Sequence, residues 1–208
     1  MIPIVLTSSL AAADDDGIAQ LQTPAAAGNL TLNGALVSDG VAVLTGAGMA
    51  RQVLITTVSN ESAKTLTIYG TNATGNAISE TVTGPNATTG TTTNYFRTVT
   101  RVAVSAAFTG NVKLGTNGVG SSRIVQPDMH KAPFAIGIGC AVSGTINFTV
   151  QHTFDVIGDG TALTWHDHDD IASASATIDS NYAFPVRGVR VKINSGTGSV
   201  ATTLIQAG

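Results

Sequence analysis

The feature that most limits this chain's fold is a two-residue alternation of apolar and polar side chains. It recurs in short runs, and each run is cut by a turn signal. Val189, Val191 and Ile193 alternate with Arg190 and Lys192, and Ile146, Phe148 and Val150 alternate with Asn147, Thr149 and Gln151. Leu66 and Ile68 share one side of Thr65–Gly70, and Thr74-Gly75-Asn76 then turns the chain into Ala77–Val82, a hairpin signal. Successive side chains of a strand point to opposite faces, so this period specifies half-buried β-strands. A helical turn is readable only at Asp14-Asp15-Asp16-Gly17, through Ile18 and Leu21, and Thr23-Pro24-Ala25-Ala26-Ala27-Gly28 ends it.

Composition agrees. The 208 residues include 30 Thr, fifteen of them between Arg51 and Thr100, and 23 Gly. Branched Cβ atoms suit a pleated surface, and Gly supplies turns. Only 11% of residues are charged and 5% aromatic, against about 25% charged in an ordinary soluble domain. Between Thr65 and Thr93 the only charged residue is Glu80. Sheet edges need charge, proline or cover, so such a chain is expected to have its edges covered by other subunits.

An internal repeat sets the expected organisation. Tyr95 is followed by Val99, Val102 and Val104, and Tyr182 by Val186, Val189 and Val191, at the same offsets and with a period of 87 residues. Each run leads to a Thr-Gly turn, Thr109-Gly110 and Thr197-Gly198. The expected fold is therefore all-β: two tandem small β-sandwich modules, residues 29–117 and 123–208, joined by a Gly/Ser linker at 118–122 and preceded by an N-terminal arm, 1–28.

Several function classes are disfavoured. The net charge is −3, no Lys or Arg precedes Arg51, and no cationic cluster follows, so direct nucleic-acid binding is not expected. No apolar run approaches the length of a membrane helix, and no membrane partner is expected. The start lacks a cationic region, so no signal peptide is expected despite Ala11-Ala12-Ala13. The Asn-x-Ser/Thr triplets at Asn60, Asn72 and Asn147 are as frequent as chance allows in such a chain. The single Cys140 excludes an internal disulfide and is read as a small core residue.

Trp165-His166-Asp167-His168-Asp169-Asp170 is the cluster most suited to chemistry, with His166 and His168 on one side of a strand that begins at Ala162. Its readings are a polar loop after a Trp-anchored strand or, less favoured, an ion site. His152 is read as a solvent or subunit contact, and His130 as isolated. Asp14–Gly17 lacks calcium-loop spacing and is read as solvated arm. Gly115–Gly120 lacks the lysine of a phosphate loop and is read as linker. Asp155 and Asp159 near a Gly-rich turn have no further glycosidase signature. No nucleophile elbow occurs. No catalytic residue, cofactor or metal site is assigned, and an enzyme is not expected.

The phrases Ala25–Gly34, Arg51–Thr56, Gly75–Asn86 and Phe96–Val99 resemble tailed-bacteriophage virion proteins, as do Thr164–His168, Asn181–Arg187 and Gln206–Gly208. The resemblance covers most of 25–208. It implies a structural, capsid-decoration or head-associated protein located in the virion and assembled in the bacterial cytoplasm. It implies partners such as the major capsid protein or other virion proteins, and a homo-oligomer, with a trimer as one form. It assigns no functional residue. The readings that follow are a capsid cement protein on the head exterior, a tail or head–tail connector component, and a carbohydrate- or receptor-binding module with Trp165, Tyr182 and the His/Asp loop as its platform.

Overall fold

The computed structural model describes residues 3–130, 134–158 and 162–207. Along them lie β1 (Ile4–Ser9), β2 (Ala19–Gln22), β3 (Gly28–Asn29), β4 (Val37–Ser38), β5 (Val41–Val43), β6 (Met49–Thr57), β7 (Thr65–Thr71), β8 (Ala77–Thr83) and β9 (Thr89–Thr91). Then come β10 (Thr98–Val104), β11 (Val112–Ser122), β12 (Ile136–Ser143), β13 (Ile146–Thr153), β14 (His166–Asp167), β15 (Ile178–Tyr182), β16 (Gly188–Gly196) and β17 (Ser199–Gln206). One 3-10 turn, Asp169–Ile171, is the only helical element among the described residues. The fold is all-β with antiparallel sheets, as the alternation specifies.

The chain divides into two compact units, Ala11–Gly118 and Met1–Leu10 with Val119–Gly208. In the first, β2, β11, β6 and β9 form one strand order, and β4, β5, β10, β7 and β8 the other. Val53 and Ile55 of β6, Leu66 and Ile68 of β7, Val99 and Val102 of β10, and Val112 and Leu114 of β11 are all 0% exposed and share one core. Each such side chain contributes roughly 1.5–3 kcal/mol through burial. In the second unit, β1, β17, β12 and β15 form one order, while β16 lies between β13 and residues Gly120–Ser121 of β11. Val186, Val189 and Val191 are fully buried there, like their counterparts Val99 and Val102. In the first unit β11 pairs with β2, and in the second β17 pairs with β1.

The N-terminal segment differs from a free arm. Ile4–Ser9 pairs residue by residue with β17, burying Leu6 and Ser8, and Ala19–Gln22 pairs with β11. Ile18 and Ala19 are 0% exposed. Short apolar stretches too brief to show a period still complete sheets when a partner strand offers free backbone groups. For the same reason the segment after Asp16 bends into β2 rather than a helical turn.

The Gly/Ser stretch also differs from a linker: 118–122 continues β11, and the division between units falls inside that strand. Just before it, Gly115 serves close approach. A Cβ on Gly115 would sit 2.0 Å from the Asp14 carbonyl oxygen, and the Thr116 N–H donates to that same oxygen at 2.6 Å. At Gly75 the reason is conformational, since the hairpin turn holds it at φ +91°.

Two buried ions fasten the first unit. Arg51 is 1% exposed; its guanidinium donates to the Asn117 carbonyl through Nε (3.1 Å) and Nη2, and to the Ala11 carbonyl at 3.3 Å. Burial lowers its pKa, with Asp14 acting in the opposite direction. The Glu61 side chain is 0% exposed and meets Lys64 at 2.5 Å. The alternation pattern registers neither: Arg51 reads as one residue of a strand and Glu61 as one of a turn.

Candidate functional site

The Trp165–Asp170 segment lies against the end of β13, in the unit containing 119–208. Residues 162–165 form no strand; the Thr164 N–H donates to the Asp155 carboxylate, and the strand is limited to His166–Asp167. Asp159 lies outside the described residues. β14 pairs with β13 so that Asp167 faces Gln151 and His166 faces His152. Neighbouring side chains point to opposite faces, and this splits the cluster in two.

On one face, Gln151 donates to Asp167 at 2.7 Å and accepts from Arg190 Nε at 2.8 Å, while the Arg190 guanidinium stands 3.8 Å from the Trp165 ring centroid. This cation–π pair occupies one face of the indole. On the other face, the His152 ring has four neighbours. Tyr182 is at 5.0 Å, Phe154 at 5.2 Å, His166 at 5.6 Å and Phe184 at 5.7 Å, and Phe184 lies 5.6 Å from Tyr182. Trp165 and Tyr182 therefore do not form one platform, and Tyr182 is 1% exposed. The sugar-binding surface expected from these residues is not assembled.

His168 has a structural task. Its Nδ1 accepts the Asp170 N–H at 3.2 Å at the start of the 3-10 turn. That leaves Nε2–H to donate to the Asn181 carbonyl at 3.1 Å, which fixes the neutral tautomer. His152, expected at solvent or a subunit contact, is 7% exposed, and its Nδ1 has no hydrogen-bond partner among the described residues; the buried Tyr182 hydroxyl has none among them either. Burial, with His166 and His168 nearby, lowers the His152 pKa below the usual histidine value, Asp169 and Asp167 opposing. Burial raises the Tyr182 pKa.

At the rim of this cluster the apolar surface is open to solvent. Phe154 is 50% and Phe184 46% exposed, their ring centroids 6.1 Å apart, and the His166 ring lies 5.6 Å from Phe154. The sequence carries a sign of this: the inward stripe Phe148, Val150, His152 continues at the same spacing to Phe154, one residue past the end of β13. An apolar stripe that outruns its strand has nothing of its own sheet to cover it.

The other sequence candidates fall elsewhere. Cys140 is buried, its thiol pKa raised, with Sγ 3.5 Å from Thr202 Oγ1. His130 is exposed, 3.5 Å from Asp128. Asp14, Asp15 and Asp16 bring carboxylate oxygens within 4.8 Å of one another, the only set of three His, Cys, Asp or Glu groups so close among the described residues. They are not a solvated arm: Asp14 is held by Thr116, and Asp15 is paired with Lys113. Asp14 and Asp15 border an open cleft of about 700 Å³ with Ala11–Ala13, Leu36, Leu54 and Thr116–Gly118. Among the described residues no helix is long and apolar enough to cross a membrane.

In comparisons with known proteins, no family model, no curated protein and no solved structure matches this chain.

Proposed function

We propose that this chain is a structural protein of a tailed-bacteriophage virion: a decoration or cement protein that binds the head exterior and stabilises capsomer contacts. In this reading it is built from two copies of one sandwich-like module, and the major capsid protein or another virion protein is its partner. The observation that carries the proposal is the exposed aromatic pair Phe154 and Phe184, their ring centroids 6.1 Å apart, on a chain with so few charges. Clustered aromatics at a surface mark an interaction site. The resemblance of its sequence phrases to virion proteins and the 87-residue sequence repeat support the same reading. A receptor-binding role loses support, because Arg190 covers one face of Trp165 and Tyr182 is buried.

The test is to mix the purified protein with undecorated heads and follow shell melting. Binding that raises the shell's melting temperature, weakened in F154S/F184S, supports the cement reading. Absence of binding overturns it, and a ring of fixed stoichiometry in negative stain would assign the chain to the tail or connector.

A further inference from the structure

The longest free sheet edge in the Ala11–Gly118 unit is β8. It ends its strand order, with β7 as its neighbour on one side and no strand on the other among the described residues. The β7–β8 register runs without a bulge from Thr65↔Thr83 to Thr71↔Ala77. At the two ends of this ladder the Gly84 N–H donates to the Lys64 carbonyl at 2.8 Å and the Asn72 N–H to the Asn76 carbonyl at 2.9 Å. Hydrogen-bonded pairs alternate along an antiparallel ladder. The even-numbered residues of β8 therefore bond to β7, and Ala77, Ser79, Thr81 and Thr83 turn their N–H and C=O groups outward. Their side chains are exposed, small and uncharged.

An edge of this kind is ordinarily guarded by lysine, proline or a bulge. β8 has none of these. Its one charge, Glu80, points to the inner face, where its carboxylate accepts the Thr93 and Asn94 N–H groups at 2.7 Å each. The ion that would repel another strand is thus spent within the fold.

We infer that the free edge of β8 pairs antiparallel with β8 of a second copy of this chain, about a two-fold axis at Thr81. The edge is its own complement: the axis sets Thr81 against the second copy's Thr81 and Ser79 against the second copy's Thr83. Every outward N–H in those pairs meets a carbonyl. Thr–Thr and Thr–Ser pairs are favourable cross-strand neighbours. The register also sets Glu80 opposite the second copy's Val82, whereas an axis at Glu80 would oppose two carboxylates, which is destabilising. A two-fold contact closes on itself, so the sheet is extended without polymerising. This rests on the reading of the chain as an assembly protein, and it names the first partner as the chain itself.

The experiment uses the full chain without any other virion component. Sedimentation over rising concentration should show twice the chain mass. Hydrogen exchange should show the Ser79 and Thr81 amides protected in the associated species. In a hydrogen-bonded pair the Cα atoms lie about 5.5 Å apart, inside the roughly 4.4–6.8 Å span of a disulfide. Oxidised T81C should therefore form a covalent dimer and oxidised S79C should not. T81P removes the outward N–H in each copy and should raise the dissociation constant about tenfold or more. If T81P loses its β circular dichroism, S79K/T81K, placed on the exposed face, decides in its stead. A single-chain mass at millimolar concentration, association unchanged in these variants, or crosslinking by S79C but not T81C overturns the pairing. Because no heads are present, failure here leaves head binding to its own test, and failure to bind heads leaves the pairing intact.

Discussion

The Glu61 carboxylate, with its side chain fully buried, accepts the backbone N–H of Gly110 at 2.9 Å. The same oxygen accepts the Thr109 N–H at 2.8 Å, and Lys64 lies against the other. An anion from one turn thus closes the loop between β10 and β11. Truncation to Glu61→Ala would strand two amides and an ammonium, at a cost of about 2–4 kcal/mol. Glu61→Gln, which keeps one acceptor, should cost less. Urea unfolding of the two variants checks the order, and equal stability to the parent would refute the role.

The same residue makes acid sensitivity predictable. Burial acts to raise the Glu61 carboxyl, but Lys64 and the Gly110 and Thr109 amides outweigh it, and the pKa lies below the ordinary carboxylate value. A depressed carboxylate stabilises fully above its unfolded pKa, about 4.3. That stability is lost as pH falls through the lower folded value. The urea midpoint of the parent should drop over this window more steeply than that of E61Q.

His152 gives a second window. Its folded pKa is depressed below the usual 6.5 by burial, so the unfolded chain takes up the proton first. Its neutral ring stabilises fully above about 6.5. That contribution falls away as pH drops toward the folded pKa and is constant below it. His152→Phe should flatten this slope in a pH series of urea midpoints. An unchanged slope would assign it to other groups.

The Tyr182 hydroxyl is buried without a hydrogen-bond partner among the described residues. Removing an unsatisfied buried hydroxyl relieves a desolvation penalty, so Tyr182→Phe should leave stability unchanged or raise it by about 1 kcal/mol. A loss well beyond that would mean the hydroxyl is bonded in solution. Thermal unfolding settles it.

Gly115 separates close packing from linker behaviour. In a linker flexible in both the folded and unfolded chain, Gly→Ala should leave stability nearly unchanged, because the entropy gain needs an ordered native position. Here the Cβ would meet backbone of Asp14 and Asp15 at 2.0–2.6 Å, so Gly115→Ala should destabilise. Unchanged stability in urea unfolding would restore the linker.

The sequence by itself determined the fold class. Period-two alternation at Leu66–Ile68, Ile146–Val150 and Val189–Ile193 is local, and a strand with one buried face allows no other reading. The repeated valines fixed which side of β10 and β16 is buried. The tertiary structure decided what has no local signature. Ile4–Ser9 and Ala19–Gln22 became strands because β17 and β11 had free backbone groups to pair. Gly115 sits in strand where the Asp14 and Asp15 backbone needs the space of a missing side chain, and 118–122 continues that strand. The Trp165–Asp170 cluster was visible as residues, but strand register sent His166 and Asp167 to opposite faces, dividing what proximity in sequence had joined. The exposed Phe154 and Phe184 come from separate parts of the chain, and only folding brings them to one rim.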